Sequence, residues 1–219
     1  TWVIENHDIP RAVTRYGTDL ALEGEYVPDV SQADGADLAL GTRRARAAAV
    51  LLCALPGAVY LYQGQELALP EVTDLPDELR EDPAFLRSGG ITPGRDGCRV
   101  PLPWAGTEPP YEFGPAGSVP WLPQPAVFAE LTRERQEDSS ESMLALYRRL
   151  LELRKATPAM RHGALSWVDS REGVLAYELR SGADRLRVLV NVSAAAYPLP
   201  AGEVLVASVG ESELADGLA

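Results

Sequence analysis

The chain has two cysteines and two histidines in 219 residues, and few basic residues to set against its acids. Cys53 lies in an apolar helical stretch and Cys98 in a loop, which cannot make a disulfide framework. His7 and His162 are far apart in sequence and give no zinc-ligand spacing. The longest run free of polar side chains, Ala47 to Val59, is broken by Pro56-Gly57. It falls short of the roughly 20 residues a bilayer span requires, so no membrane segment is expected. Lys+Arg 20 against Asp+Glu 32 gives a net charge of −12 and a pI near 4.6. A surface this negative repels phosphate, which argues against nucleic acid and anionic membranes as partners. No Gly-x-Ser-x-Gly elbow, phosphate loop or Gly-x-Gly-x-x-Gly is found. Residues Thr1 to Glu5 lack the basic flank and apolar core of a signal peptide, so the expected location is cytoplasmic.

A hydrophobic fraction of 46% is too high for disorder and fits a folded, globular chain. The sequence opens on Trp2-Val3-Ile4, a short β-prone run without a polar lead-in, which predicts further chain upstream. Asp19, Asp29, Asp34 and Asp37 then supply turn and cap chemistry. A helix is predicted from about Asp37 to Leu55, stopped by Pro56-Gly57. Ala58-Val59-Tyr60-Leu61-Tyr62 follows as an apolar run with the character of a strand buried on both faces. Strand, helix, strand at this spacing is the grammar of a parallel α/β sheet or barrel.

Residues 67–125 hold 12 of the 18 prolines and 7 of the 19 glycines, so little regular structure is expected there. Trp104, Tyr111, Phe113 and Trp121 argue against a disordered linker, and the segment reads as an ordered, functional loop. Asp138-Ser139-Ser140-Glu141 has capping-box spacing ahead of a helix bearing Met143, Leu146, Tyr147, Leu150 and Leu151, ended by Thr157-Pro158. Beyond Gly163, four short strands are predicted, at Ala164–Val168, Val174–Leu179, Leu186–Asn191 and Val204–Ser208. They make a small antiparallel β domain.

Asn6-His7-Asp8 sits just past the end of the first strand, where parallel barrels and sheets place reactive groups. Gln63-Gly64-Gln65-Glu66 holds the same position after the second strand, and Gly94-Arg95-Asp96-Gly97-Cys98-Arg99 lies in the long loop. Each also has a plainer reading. His7-Asp8 suits a turn stabiliser, Gln65-Glu66 a helix cap, and Arg95 and Arg99 salt-bridged loop anchors.

Asn6-His7-Asp8-Ile9-Pro10-Arg11-Ala12-Val13-Thr14-Arg15-Tyr16-Gly17 resembles the fourth signature region of family-13 glycoside hydrolases, the α-amylase superfamily, in its α-glucosidase and oligo-1,6-glucosidase branch. Tyr60 to Leu67 resembles that family's last barrel strand, and Gly94 to Trp104 its arginine-bearing loop. Val119-Pro120-Trp121-Leu122-Pro123 and the helix around Tyr147-Arg148-Arg149-Leu150 follow in the family's order. The resemblance implies retaining hydrolysis of α-glucosides on a (β/α)8 TIM barrel. One carboxylate attacks the anomeric carbon, an acid roughly 5 Å away protonates the leaving oxygen, and a third carboxylate holds the sugar hydroxyls. Asp8 matches that third position and would stabilise the oxocarbenium-like transition state, with His7 donating to the same ring. Arg95, with Arg99 competing for the role, would reach a ring hydroxyl on the non-reducing side. Gln63 and Trp104 would shape the pocket wall.

The family's nucleophile and acid/base lie on its fourth and fifth barrel strands, whereas this chain resembles the family from the seventh strand onward. Gln65 and Ala68 stand where relatives often carry Glu and Gly. The fold expected is therefore α/β plus all-β: the last two β/α units of an incomplete barrel over residues 1–158, with the active-site loop 67–125, then a C-terminal β-sandwich domain over 159–219. The missing N-terminal barrel portion becomes a partner, along with an α-glucoside or oligosaccharide substrate. The isolated chain is expected to be inactive and to expose apolar sheet edges. No cofactor is expected, and a structural Ca2+ or Mg2+ would belong to the upstream part. Two other functions stay open: a glucosyl-transferring isomerase of the sucrose isomerase or trehalose synthase type, and a catalytically dead barrel serving as an interaction domain.

Overall fold

A computed structural model describes residues 1–18, 35–210 and 214. Asp19, Asp29 and Asp34, read above as turn formers, lie outside them, as do Glu213 and residues 215–219. Two compact units are formed, one from Thr1–Val3, Arg46–Tyr60 and Leu146–Ala219, the other from Ile4–Ala45 and Leu61–Ala145.

The unit containing the Asn-His-Asp turn begins with a short helix α1, Ala12–Tyr16, whose Ala12, Val13 and Thr14 are buried. The first turns of helix α2, Leu38–Ala54, belong to it as well, and the Asp37 carboxylate caps them by accepting the Leu40 N–H at 2.9 Å. Gly41 is required here. A Cβ at that position would stand 2.0 Å from the Val13 carbonyl oxygen, so only glycine lets α2 press against α1. The Pro/Gly-rich stretch carries much of the unit's core. Leu67, Leu69, Val100, Tyr111, Leu122 and Phe128 are among the buried residues that pack together there. Burial of each such side chain contributes about 1.5–3 kcal/mol, which is what holds a chain so poor in hydrogen-bonded ladders. The stretch also contains helix α3, Pro83–Ser88, begun by Asp82 at the cap and Pro83 in the first turn.

Helix α4, Arg133–Glu137, precedes helix α5, Met143–Ala156. The capping expectation is corrected here. Asp138 is the residue that ends α4, and the cap of α5 is Ser142, whose Oγ accepts the Ala145 N–H at 3.0 Å. Asp138 closes the preceding helix instead of opening the next one, a context that spacing alone does not reveal.

In the other unit the C-terminal carbonyls of α2 are collected by Arg154 on α5. Its Nη1 donates to Cys53 O at 2.6 Å and Leu55 O at 2.9 Å, and its Nη2 donates to Gly57 O. A cation at a helix C-terminus satisfies orphan acceptors and complements the dipole. Helix α6, Pro158–His162, follows directly, with Thr157 preceding Pro158. The chain then forms strands β1 (Ala164–Trp167), β2 (Val174–Ser181) and β3 (Asp184–Asn191) as an antiparallel meander in the order β1-β2-β3. Register is set by pairs such as Trp167 with Tyr177 and Ser181 with Asp184, the latter closed by Gly182 in the left-handed region. Glu178 on β2 is buried and receives Arg185, Arg187 and Arg180, which together hold its carboxyl far below the usual carboxylate range.

Two expectations about β structure need correcting. The β-sandwich is not formed among the described residues. There is one three-stranded sheet, and Tyr177, Leu179 and Val188 pack against Ala54, Leu153 and Met160 from helices rather than against a second sheet. Val204–Ser208 is not a fourth strand. Leu205 and Val206 pack on that core, while Arg46 Nε donates to Ser208 O at 2.7 Å and Arg149 Nη2 to Leu205 O at 3.5 Å. Its carbonyls are met by arginines instead of a neighbouring strand.

A further correction concerns the opening runs. Trp2–Ile4 and Ala58–Tyr62 do not form ladders; they share a single parallel bridge, Trp2 with Val59, in which Trp2 N–H donates to Ala58 O at 2.8 Å and Tyr60 N–H to Trp2 O at 3.0 Å. Nor is the second run buried on both faces: Tyr60 is 63% exposed and Leu61 39%. A strand covered on both faces needs paired neighbours on each side and packed layers above and below, and here one bridge supplies one neighbour. Among the described residues no helix is long and apolar enough to cross a membrane.

Candidate active site

The site grows from the turn after Ile4. The Asn6 carboxamide oxygen accepts the Asp8 N–H at 2.7 Å, an Asx-type turn that presents the next two side chains outward. His7 Nε2 lies 3.3 Å from Asp8 Oδ2. The other Asp8 oxygen faces both arginines of the 94–99 loop, Arg95 Nη1 at 2.5 Å and Arg99 Nη2 at 3.5 Å. Arg99 also donates Nε and Nη2 to the His7 carbonyl at 3.0 and 2.8 Å. The sequence left Arg95 and Arg99 as competitors; the fold brings both to the same carboxylate. Asp8 keeps half of its side-chain surface exposed, so the group remains open to a ligand.

Gln63 and Trp104 are held through their backbones. Gln63 takes part through its backbone, its carbonyl accepting Arg11 Nη1 at 2.9 Å. Trp104 is half-exposed and is held through its backbone by Tyr111 and Glu134. No bond joins either side chain to the Asp8 cluster among the described residues. Gln65 and Glu66 serve the local turn: Gln65 Oε1 accepts Tyr62 N–H at 3.3 Å and Glu66 Oε2 accepts Gly64 N–H at 2.8 Å.

Behind the exposed groups lies a buried polar frame that sequence reasoning missed. Arg11 is 2% exposed and ties the three functional segments to each other. Its Nη1 donates to Gln63 O, its Nη2 to Cys98 O at 2.9 Å, and it pairs with Glu5 Oε2 at 3.4 Å. Its guanidinium also stands 5.0 Å from the centre of the Tyr62 ring. Glu5 in turn accepts the Ala12 N–H at 2.8 Å, and Glu71 accepts the Arg11 N–H at 2.9 Å. Burial raises the pKa of Glu5 and pushes Glu71 up to about 7, in each case against the lowering effect of Arg11. Cys98, buried within the 94–99 loop, is pushed up to about 12 by burial and is unsuited to act as a thiolate.

A second anchor is Asp82. Its Oδ2 accepts Arg95 Nε at 2.6 Å and lies 3.5 Å from Arg99 Nη1. Burial disfavours its charge, but donors from Arg95 and the Ala84 amide outweigh that and hold the carboxyl below the ordinary range. The dipeptide Asp82-Pro83, a cap followed by proline, was a legible signal for α3. Nothing local connects it to Arg95. Among the described residues no three His, Cys, Asp or Glu side chains converge as a metal site.

Residues 1–163 match the family described as alpha amylase, catalytic domain. A probable alpha-glucosidase of Rhizobium meliloti (strain 1021) is 34% identical over 192 residues, 88% of this chain and 31% of that protein. An oligo-1,6-glucosidase of Parageobacillus thermoglucosidasius is 26% identical over 208 residues, 87% of this chain and 33% of that one. The crystal structure of the alpha-glucosyl transfer enzyme XgtA superposes with a TM-score of 0.69 at 35% identity, covering 92% of this chain and 34% of that chain. The chain thus spans about a third of the length of the relatives it matches.

Proposed function

The chain belongs to the α-amylase catalytic-domain family, and from that premise we propose that it is the C-terminal part of a retaining α-glucosidase. In this reading residues 1–158 complete a (β/α)8 barrel with its last two β/α units, and residues 159–219 form the appended β domain. The whole protein hydrolyses terminal α-glucosidic bonds of maltose- or isomaltose-type oligosaccharides or of sucrose. The observation that carries the reading is the Asp8 carboxylate, fixed on a short turn and facing Arg95 and Arg99 while still open to solvent.

The chemistry follows from that arrangement. The attacking carboxylate and the acid, roughly 5 Å apart in retaining enzymes, come from the remainder of the barrel. Asp8 accepts hydrogen bonds from the ring hydroxyls of the glucose being transferred, and its negative charge favours the positive charge that develops at the anomeric centre. His7, beside it, donates to the same ring. On entry of the sugar, hydroxyls replace part of the Arg95 and Arg99 contact with Asp8, which limits the pocket to a terminal residue. The alpha-glucosidase and oligo-1,6-glucosidase relatives support this substrate class. The 219-residue chain by itself holds no nucleophile for the reaction and is expected to give no turnover above a heat-killed control.

The test is Asp8→Asn in the full-length protein. The fold should persist, and kcat on p-nitrophenyl α-D-glucoside should fall by about 10²-fold or more. A variant within a few-fold of wild type would remove Asp8 from the mechanism. The resemblance to XgtA, an alpha-glucosyl transfer enzyme, favours a second reading in which another sugar replaces water as acceptor. Product analysis on sucrose, maltose and isomaltose separates free glucose from rearranged or lengthened sugars.

A further inference from the structure

We propose that Asp82 is a positioning residue: its buried carboxylate fixes the guanidinium groups of Arg95 and Arg99 so that they meet Asp8 and a bound hexose in one orientation. The proposal rests on the glucosidase reading for the identity of the sugar, while the positioning itself stands on this chain alone.

The two oxygens of Asp82 have separate tasks. Oδ1 accepts the Ala84 N–H at 2.7 Å and caps α3. A cap needs one acceptor, and Asn provides it as well as Asp. Oδ2 takes no part in the cap; it accepts Arg95 Nε at 2.6 Å and stands 3.5 Å from Arg99 Nη1. Arg95 is thereby gripped at Nε by a fully buried anion, and its Nη1 is left to reach Asp8 at 2.5 Å. Asp82 is itself immobilised. The Asp96 carboxylate, 2% exposed, accepts the N–H groups of both Glu81 and Asp82 at 3.0 Å. Gly94 then passes so close that a Cβ there would lie 2.7 Å from Asp82 Cβ. An aspartate on each side of the loop contact, Asp82 toward Arg95 and Asp96 back toward Asp82, locks the 80–84 and 94–99 segments in mutual register. A free arginine samples many rotamers; one held by a rigid carboxylate behind and aimed at Asp8 in front offers its remaining donors in a fixed plane.

The variant Asp82→Asn separates the roles, because it keeps the cap of α3 and removes the charge that grips Arg95. On the 219-residue chain, the Arg95 Nε–H resonance should be protected from solvent exchange in wild type and in Asp8→Asn, and should lose at least tenfold of that protection in Asp82→Asn. An Arg95 Nε–H that exchanges in wild type as freely as an unpaired arginine would overturn the proposal. In the full-length protein, Asp82→Asn should lower kcat/KM on p-nitrophenyl α-D-glucoside by about 10–100-fold, mostly through KM, as expected when binding geometry is lost. In an Arg95→Ala/Arg99→Ala background the same change should cost less than about threefold more, since its effect passes through these two arginines. Equal costs in both backgrounds would mean a merely structural role and refute positioning. Absence of turnover by the full-length wild-type protein would refute the glucosidase reading alone, because the exchange measurement on the 219-residue chain needs no substrate.

Discussion

Replacing Arg11 with Met tests whether one buried cation holds the candidate site together. The change keeps much of the side-chain volume while deleting the bonds to Gln63 O, Cys98 O and the Glu5 carboxylate. Two carbonyls and a buried carboxylate each lose one donor in a place that water does not reach easily, while Cys98 O keeps the Tyr62 hydroxyl and Glu5 the Ala12 N–H. Breaking a buried ion pair by removing one partner costs about 3–5 kcal/mol. Burial already raises the Glu5 pKa against Arg11, and loss of the cation raises it further, which favours the neutral acid and keeps the cost near the lower end, about 3 kcal/mol. For a chain of this size each kcal/mol moves Tm by about 2–4 °C, so a fall of about 6–12 °C is expected. Urea unfolding gives the free energy, and hydrogen exchange of amides in residues 4–16 and 94–104 shows where the loss is felt. The double variant Arg11→Met/Glu5→Gln removes both charges and should be less damaging than the sum of its parts by about 1–3 kcal/mol. A loss under about 1 kcal/mol for Arg11→Met, or strict additivity with Glu5→Gln, would refute the claim that this pair is the frame of the site.

Glu71 should make stability depend on pH. Its folded pKa is raised by burial to about 7 from an ordinary value near 4.5, so its contribution is fully present below about pH 4.5 and is lost as pH rises through 7. The shift corresponds to at most about 3 kcal/mol; urea midpoints at pH 5 and pH 8 should show the difference, and Glu71→Gln should flatten it. An unchanged slope in Glu71→Gln would exclude this assignment. Ser142→Ala should destabilise α5 by about 1 kcal/mol, whereas Asp138→Ala should stay within about 0.5 kcal/mol, since the cap is Ser142. The reverse order in urea unfolding would restore the capping box to Asp138.

Local patterns carried the two long helices, α2 and α5, and missed the four short ones among the described residues. Asp37 and Pro56-Gly57 bracket α2, and Thr157-Pro158 separates α5 from α6, because caps and breakers act over a few residues. The hairpin at Ser181-Gly182 was legible for the same reason. Strand pairing was less so. Trp2–Ile4, Ala58–Tyr62 and Val204–Ser208 all have strand-like composition, yet none forms a ladder, since a ladder depends on what else lies alongside.

At the candidate site, the sequence by itself determined the exposed chemistry: Asn6-His7-Asp8 in a turn, and Arg95 and Arg99 in a loop, each recognisable from neighbours in the chain. Only the tertiary structure decided that both arginines reach Asp8, and that Arg11, Asp82 and Asp96 lock the segments behind it. Arg11 meets Gln63 across 52 positions and Cys98 across 87, and Arg95 meets Asp8 across 87. A buried charge is tolerated only where partners converge from such distances. That convergence is a property of the folded path, which no spacing of three or four residues encodes.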